Sequence, residues 1–315
     1  MILTITPNPM MERTYPVQTH NPGTNQRVEN PIRQVTGKGL NVSRALTDLG
    51  LESKALLPCN DFAWGFVGPI VAEEAFETIQ VQGPPGFRAG FVVVTPNGKS
   101  TAYYEDGLSW NPAMVQGFLS SIEENVRGLS PGLVVLAGSL PPGAPVDLYA
   151  RICAICSAAK IPVALDAVGP ALTMALQEGA LLAKINLDEF TETFGRTPVH
   201  DHEFADALND LRDRYSVKAC AVTAGSGAAF FAFEEGTYRA VPPEVPVRNP
   251  VGSGDSLLAG WLLAHSKGLG PEESVRSAMA AGTANAERMT VAVLDAIRVQ
   301  ELKGQVMIAA IDKQQ

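Results

Sequence analysis

Short apolar runs alternate with amphipathic stretches along most of the chain. Runs at 2–6, 133–137, 162–166, 181–185, 218–223 and 228–233 predict buried strands. The intervening stretches predict helices at 111–127, 171–177, 187–194, 203–215, 256–266 and 272–286. Buried strands alternating with helices are typical of a mostly parallel sheet covered on both faces. We therefore expect an α/β fold with a doubly wound sheet.

Two segments depart from this alternation. Residues 10–34 carry short alternating pieces without helical periodicity, and residues 91–104 predict a hairpin with its turn at Asn97-Gly98. Together they predict a small separate sheet from about residues 10–34 and 86–106, within a single domain spanning 1–315. The pattern at 58–86 predicts no defined element.

Composition and charge restrict the function classes. The chain of 315 residues is 46% hydrophobic and 18% charged, which is ordinary for a globular enzyme. A net charge of −9 argues against nucleic acid or an anionic membrane as partner. The sequence has no apolar run of membrane-spanning length and no basic region before its first strand. We expect a cytoplasmic protein.

The four cysteines do not predict a metal or redox centre. Cys153 and Cys156 form a CxxC pair, but no second pair or suitably spaced histidines accompany it. The pair lies in a stretch of helical periodicity, so we expect buried thiols in a reducing compartment.

The stretch Asn249–Asp255, here called the glycine turn, is the leading candidate for chemistry. Gly252 and Gly254 allow backbone N–H groups to converge, and the helix that follows offers its positive N-terminus to an anion. Asp255 at this position permits two interpretations. It caps the helix, or it accepts the proton of a hydroxyl that attacks a bound phosphate.

Several further polar residues follow predicted strands, where ligands bind in open α/β sheets. Asn186 and Glu189 are spaced to share one face at a helix start, which suits either a capping pair or hydrated Mg²⁺. Gly225-Ser226-Gly227 superficially matches a nicotinamide-binding turn. A strand rather than a helix is predicted after it, which disfavours an oxidoreductase.

Taken together and in order, these motifs resemble the ribokinase-like carbohydrate kinases of the phosphofructokinase-B family. The resemblance is carried by Gly37–Val42, Gly138–Gly143, Lys184–Glu189 (with Ile185 in place of proline), Thr223–Gly227 and Asn249–Gly260. It is closest in type to the 1-phosphofructokinases and tagatose-6-phosphate kinases. The resemblance implies a ribokinase-like fold in which the small sheet is a lid.

The resemblance also implies roles for individual residues. Gly252, Ser253 and Gly254 would hold the transferred phosphate, with Asp255 as the base, ionised and of low pKa beside the helix N-terminus. Nucleotide binding would fall to Lys184, Asn186, Thr223, Gly225, Gly227 and Asn285, and Mg²⁺ binding to Asn186 and Glu189. Sugar binding would fall to Glu12, Arg27, Gly37, Lys38, Asn41, Arg88 and Ser139.

The sugar side departs from the family pattern. Glu12 stands where the family has an aspartate, Thr36 replaces a glycine, and residues 58–86 lack the usual Gly-Gly-x-x-Gly pattern. Arg27 and Arg88 correspond to cations that bind the substrate's existing phosphate, although an arginine on a β-ribbon is also often only solvated.

The resulting hypothesis is an ATP- and Mg²⁺-dependent kinase for fructose 1-phosphate, fructose 6-phosphate or tagatose 6-phosphate. A monovalent cation such as K⁺ and a homodimer paired through the lid come with the resemblance. A kinase of a free sugar and a non-catalytic nucleotide- or sugar-binding protein remain alternatives.

Overall fold

A computed structural model describes residues 1–311, in which the main sheet has ten strands. From edge to edge they are β14 (Met307–Ile311), β13 (Thr237–Val241), β12 (Ala229–Ala232), β11 (Val217–Thr223), β10 (Ala180–Asn186), β9 (Val163–Asp166), β8 (Leu133–Ala137), β1 (Ile2–Ile5), β4 (Ser53–Pro58) and β5 (Glu77–Val81). All pairings from β5 to β11 are parallel, and those from β11 to β14 are antiparallel. The predicted mostly parallel sheet is confirmed.

Helices cover both faces, and each face has its own apolar core. One core is built with α3 (Pro112–Leu129), α4 (Leu148–Ala158), α5 (Gly169–Leu176), α6 (Leu187–Phe194) and α7 (Asp201–Tyr215). The other is built with α1 (Lys38–Asp48), α8 (Ser253–Ser266), α9 (Pro271–Ala286) and α10 (Ala296–Lys303). Cys153 and Cys156 are buried in the first core as free thiols, and burial raises their pKa to about 12.

The lid sheet consists of β2 (Met10–Pro16), β3 (Ile32–Thr36), β6 (Arg88–Val94) and β7 (Ser100–Tyr104), in the order β3-β2-β6-β7. It is mixed, because β2 and β6 run parallel. The β6–β7 turn places Gly98 at φ 75°, where a Cβ would meet the Val247 carbonyl oxygen at 2.5 Å. The lid therefore rests on the segment that leads into the glycine turn.

The structure differs from the sequence pattern in two places. Residues 58–86 contain α2 (Asp61–Val71) and the edge strand β5, although Gly65, Gly68 and Pro69 interrupt the helical pattern of α2. Helix α8 begins at Ser253, earlier than the apolar pattern indicates, because the glycine turn itself forms its first turn. Among the helices described, none has the length and apolar character needed to cross a bilayer.

Candidate active site

The glycine turn forms a tight N-terminus for α8. Gly252 has φ 83°, and a Cβ there would meet Val291 Cγ1 at 2.6 Å, so a larger residue would be both strained and crowded. Ser253, Gly254 and Asp255 form the first helical turn. Ser253 N donates to Pro250 O at 3.1 Å, whereas the backbone N–H groups of Gly252, Gly254 and Asp255 have no acceptor within residues 1–311.

Asp255 does not act as an N-cap, since Gly252 occupies that position and no side chain caps the helix. Its side chain is only 6% exposed, and Asn41 Nδ2 donates to its Oδ2 at 2.8 Å. Burial raises the pKa of Asp255 to about 6, against the lowering effect of Lys184. The expectation of a low pKa from the helix N-terminus was wrong, because loss of hydration dominates at this depth.

A cluster of four charged side chains, here called the charge cluster, lies beside this turn. The Oδ1 of Asp166 accepts from Lys38 Nζ at 2.6 Å, and its Oδ2 accepts from Lys184 Nζ at 2.5 Å. Lys38 Nζ also donates to Glu189 Oε1 at 2.9 Å. An ideal Cβ on Gly254 would lie 2.7 Å from Lys184 Nζ, so this ammonium group lies directly against the first turn of α8.

Asp166 is fully buried, and its ionisation is determined by the two lysines. Burial would raise the pKa of its carboxyl group, but Lys184 and Lys38 lower it to about 2. The carboxylate is therefore charged at neutral pH, and it holds two ammonium groups at the carboxyl end of β9.

Asn186 and Glu189 form a capping box at the start of α6. Glu189 N donates to Asn186 Oδ1 at 2.8 Å, and Asn186 N donates to Glu189 Oε2 at 3.1 Å. Thr223 is the register partner of Asn186 on the neighbouring strand. Gly225 and Gly227 lie in the β-hairpin turn that follows Thr223, so no nicotinamide-type helix begins there.

Asn285 lies beneath the glycine turn, not on an open nucleotide surface. It is 0% exposed, and its Nδ2 donates to Val251 O and Ser253 Oγ while its Oδ1 accepts from Ala292 N. These bonds engage both N–H donors of the amide and hold the glycine turn in place. The nucleotide-binding role of Asn285 stays a prediction.

The sugar side gathers fewer of the expected residues. Glu12 on β2 is buried at 2% exposure, accepts from Thr36 Oγ1 at 3.5 Å, and burial raises its pKa to about 7. Its Oε1 has no partner within residues 1–311. Gly37 lies at φ 139° as N-cap of α1, and adding a Cβ would bring it to 2.5 Å from Thr6 Cγ2.

Arg88 and Ser139 are both hydrogen-bonded to Asn8, whereas Arg27 contacts none of these residues through a hydrogen bond in the described part of the chain. Arg88 Nε donates to the Asn8 carbonyl oxygen at 3.2 Å, and Asn8 Nδ2 lies 3.2 Å from Ser139 Oγ. Arg27 is exposed in the loop between β2 and β3, and in the described part of the chain its side chain forms no hydrogen bond or ion pair. The two arginines are therefore not equivalent.

Three site residues lie outside the sequence-based set: Asp166, Arg44 and Asn8. Asp166 ends a buried strand, and an acidic residue at that position was the available signal. Arg44 is buried and donates to Asn41 Oδ1 at 3.1 Å. Its position on the amphipathic helix α1 gave no comparable indication.

The model of the pfkB family of carbohydrate kinases matches residues 114–295. A 1-phosphofructokinase from Bacillus subtilis is 31% identical over 288 residues, covering 91% of this chain and 92% of the relative. The chain belongs to the pfkB family of carbohydrate kinases. A tagatose-6-phosphate kinase from Staphylococcus epidermidis is 27% identical over 99% of this chain and 100% of that relative.

The pfkB fold extends over nearly all of the described residues 1–311. Phosphofructokinase-2 from Escherichia coli in complex with fructose-6-phosphate superposes with a TM-score of 0.84 at 23% identity, covering 96% of this chain and 98% of that one. The fold is thus ribokinase-like, as the sequence predicts, and the protein is a carbohydrate kinase.

Replacing Asp166 with Asn should lower the free energy of unfolding by about 3–5 kcal/mol, because Lys184 would be left buried without its counter-charge. Asp210→Asn, which removes an exposed pair with Arg196, should cost about 1 kcal/mol or less. Urea denaturation at neutral pH measures both. Equal losses in the two variants would contradict a structural role for the charge cluster.

Proposed function

We propose that this protein transfers the γ-phosphoryl group of ATP to a hydroxymethyl group of a ketohexose phosphate. The observation that carries the proposal is the position of Asp255, buried in the first turn of α8 beside Lys184. Phosphoryl transfer requires positioned donors for the migrating group and a carboxylate to receive the hydroxyl proton. Fructose 1-phosphate, fructose 6-phosphate and tagatose 6-phosphate are the candidate acceptors.

Asp255 is suited to the role of base. Asn41 donates to Oδ2 of Asp255, which leaves Oδ1 of Asp255 to accept a hydrogen bond from the substrate hydroxyl. A pKa of about 6 keeps the carboxylate mostly ionised at neutral pH while making it a better proton acceptor than an exposed aspartate. The backbone N–H groups of Gly252, Gly254 and Asp255, which have no acceptor within residues 1–311, would face the phosphate that this hydroxyl attacks.

The site fits a hydrated Mg²⁺ better than a metal held by a protein cage. Within residues 1–311, no three His, Cys, Asp or Glu side chains form a metal-binding group. With Asp255 included, the carboxylates of the charge cluster outnumber its ammonium groups by one, so the site alone does not attract ATP phosphates. A divalent cation reverses this balance, and Glu189 and Asn186 would hold its water ligands. A requirement for K⁺ remains a prediction.

Arg88 is the better candidate for the phosphate already on the sugar. It is half-buried on the lid strand β6, and its guanidinium group is held by the carbonyl oxygens of Asn8 and Glu105. Fixed carbonyl contacts pre-orient the remaining N–H donors for a bidentate anion. Arg27, exposed on its loop, would contribute only after closure of the lid.

The outer face of the lid suits pairing with a second copy of the chain. Phe91 and Tyr103 are cross-strand partners on this face and are 38% and 58% exposed, and Tyr15 stacks on Phe91. Exposed aromatic clusters on a sheet are typical of protein interfaces. We include a homodimer through the lid in the proposal.

The activity is tested by mixing the protein with MgATP and the three ketohexose phosphates, with free fructose and ribose for comparison. Wild-type protein should release ADP with at least one phosphosugar, and Asp255→Asn should lower kcat by about 10²–10⁴-fold. The same change at the α10 cap, Asp295→Asn, should leave turnover unchanged. Absence of sugar-dependent ADP release from the whole panel would refute the proposed activity.

The pH dependence follows from the raised pKa of Asp255. Because the base must be deprotonated, kcat should fall as pH drops through about 6. A rate profile from pH 5 to 8 in the presence of saturating MgATP would display this acid limb. A flat profile across that range would exclude Asp255 as the proton acceptor.

Arg88→Gln should raise KM for the phosphosugar by about 10–100-fold, because a hydrogen-bonded charge pair with its phosphate is lost. Arg13→Gln is the matched control, since Arg13 is exposed on the same lid sheet and alternates with buried Glu12 and Thr14. Initial rates with varied phosphosugar and fixed MgATP compare the two. An unchanged KM in Arg88→Gln would remove this arginine from the substrate site.

Sedimentation velocity tests the lid interface. Wild-type protein should sediment as a dimer and Phe91→Asp as a monomer, because a buried unpaired carboxylate at the centre of an apolar contact is costly. Phe66→Asp alters an aromatic residue on α2 that is more exposed than Phe91, and it should leave the dimer intact. A monomeric wild-type protein, or loss of the dimer only in Phe66→Asp, would contradict pairing through the lid.

A further inference from the structure

Arg44 is a buried cation close to the proposed base, and the function described above gives it no task. It is 4% exposed, and all of its donor nitrogens are engaged. Nε and Nη2 bind the Glu74 carboxylate, and Nη2 also donates to Val35 O at 2.9 Å. Nη1 donates to Asn41 Oδ1 at 3.1 Å and to Val291 O at 3.3 Å.

The bond to Asn41 determines which way its amide faces. Since the guanidinium group can only donate, it selects the amide oxygen of Asn41 and directs the NH₂ group the other way. That NH₂ group donates to Asp255 Oδ2 at 2.8 Å. In the flipped orientation, NH₂ would face a guanidinium group and the oxygen would face a carboxylate, so both contacts would become repulsive.

The same guanidinium group ties together the parts of the chain around the base. Val35 belongs to the lid strand β3, and Val291 packs against Gly252 of the glycine turn. Gln34 binds both the N–H and the carbonyl group of Val291, which adds a second tie from β3 to this loop. Arg44 therefore contacts the lid, the loop beneath the turn and the partner of Asp255.

We propose that Arg44 is a positioning residue for the kinase reaction, orienting the Asn41 amide so that one Asp255 oxygen accepts from it and the other remains for the substrate hydroxyl. The inference rests on the proposed role of Asp255 as base. It adds a residue that touches neither substrate nor nucleotide and acts through hydrogen-bond direction.

Hydrogen-bond direction, more than charge, is the means by which Arg44 acts. Glu74 binds Arg44 through both carboxylate oxygens, with a shortest distance of 2.6 Å, so the pair is close to neutral as seen from Asp255. A lysine at position 44 would keep the charge but could not donate in all of these directions from one ammonium group. The charge-conserving change therefore separates the two effects.

The pH response of Asp255 must be interpreted against the ionisable groups that surround it. Those that influence its carboxyl group or are influenced by it are Lys184, Asp166, Lys38, Glu12 and Tyr104. Among these groups, Glu12 has its pKa lowered by the charge of Arg44, and Arg44→Lys keeps that charge. A shift produced by Arg44→Lys therefore reports the Asn41 contact.

The test compares Arg44→Lys with Arg276→Lys, whose guanidinium group binds Val306 O and pairs with Glu273 at the far end of α9. Arg44→Lys should move the acid limb of kcat to higher pH by about one unit. Without the guanidinium group to orient it, the Asn41 amide would no longer donate to Asp255, and loss of this donor favours the protonated form of the Asp255 carboxyl group. It should lower kcat near pH 6 by about fivefold, as that shift requires, and leave KM for ATP unchanged. Arg276→Lys should change neither quantity.

A second measurement does not depend on turnover. In protein labelled with ¹⁵N-asparagine, the Asn41 side-chain signals should titrate with Asp255, and their midpoint should rise in Arg44→Lys. If that variant does not fold, the double variant Arg44→Met with Glu74→Met removes both charges together and should show the same rise.

The outcomes separate the two proposals. Absence of sugar-dependent turnover in wild-type protein would refute the kinase activity proposed above, while the asparagine titration would still decide the role of Arg44. An unchanged midpoint and acid limb in a folded Arg44 variant would overturn the positioning role. Equal effects in Arg276→Lys would also overturn it, by showing a general loss of stability.

Discussion

The site depends on one buried carboxylate that holds two lysines. Asp166 ends strand β9, and Lys184 lies on the neighbouring strand β10. Lys38 lies at the start of α1, a helix that covers one face of the sheet. Neither ammonium group would remain beside a helix N-terminus, the positive end of its dipole, without a counter-charge. The pairing with Asp166 therefore makes it possible for positive charge and backbone N–H groups to be directed at the same small volume.

That arrangement places two acids of different character in one cleft. Asp255 has an amide donor and two lysines nearby, and burial still raises its pKa to about 6. Glu12 accepts from the Thr36 hydroxyl, and burial raises its pKa to about 7. Two acids whose surroundings give them different pKa values can take different parts in one reaction. Asp255 is the more readily ionised, which agrees with the role of proton acceptor, whereas Glu12 is suited to hydrogen bonding with a sugar hydroxyl in either protonation state.

The sequence predicts the fold well because the pattern of short buried strands and amphipathic helices is local. It also locates Asp255, Lys184, Asn186 and Lys38, each of which lies in a motif at the end of a strand or the start of a helix. Asp166 was missed because its partners lie 18 and 128 positions away, and only the sheet brings them together. The sequence predicts no element at 58–86 because Gly65, Gly68 and Pro69 weaken the helical pattern of α2. The helix forms nevertheless, because tertiary packing overrides these weak local preferences. The expected pKa of Asp255 failed for a related reason, since burial is a property of the fold and not of the local motif.

Two of the three departures of the sugar side from the family pattern are partners in a single contact. Glu12 is one methylene longer than the aspartate expected there, and Thr36 carries a hydroxyl where a glycine is expected; in the structure Thr36 Oγ1 donates to Glu12 Oε2. They occupy facing ends of β2 and β3, where Met10 pairs with Thr36 and Glu12 pairs with Gln34. Without the hydroxyl, the buried carboxyl group would lose its donor to Oε2, which is costly. The hydroxyl holds one oxygen and leaves Oε1 as an unsatisfied acceptor beneath the lid. Glu12 and Thr36 therefore act as one unit, in which the hydroxyl fixes Oε2 of the longer acid and Oε1 is the oxygen without a partner within residues 1–311.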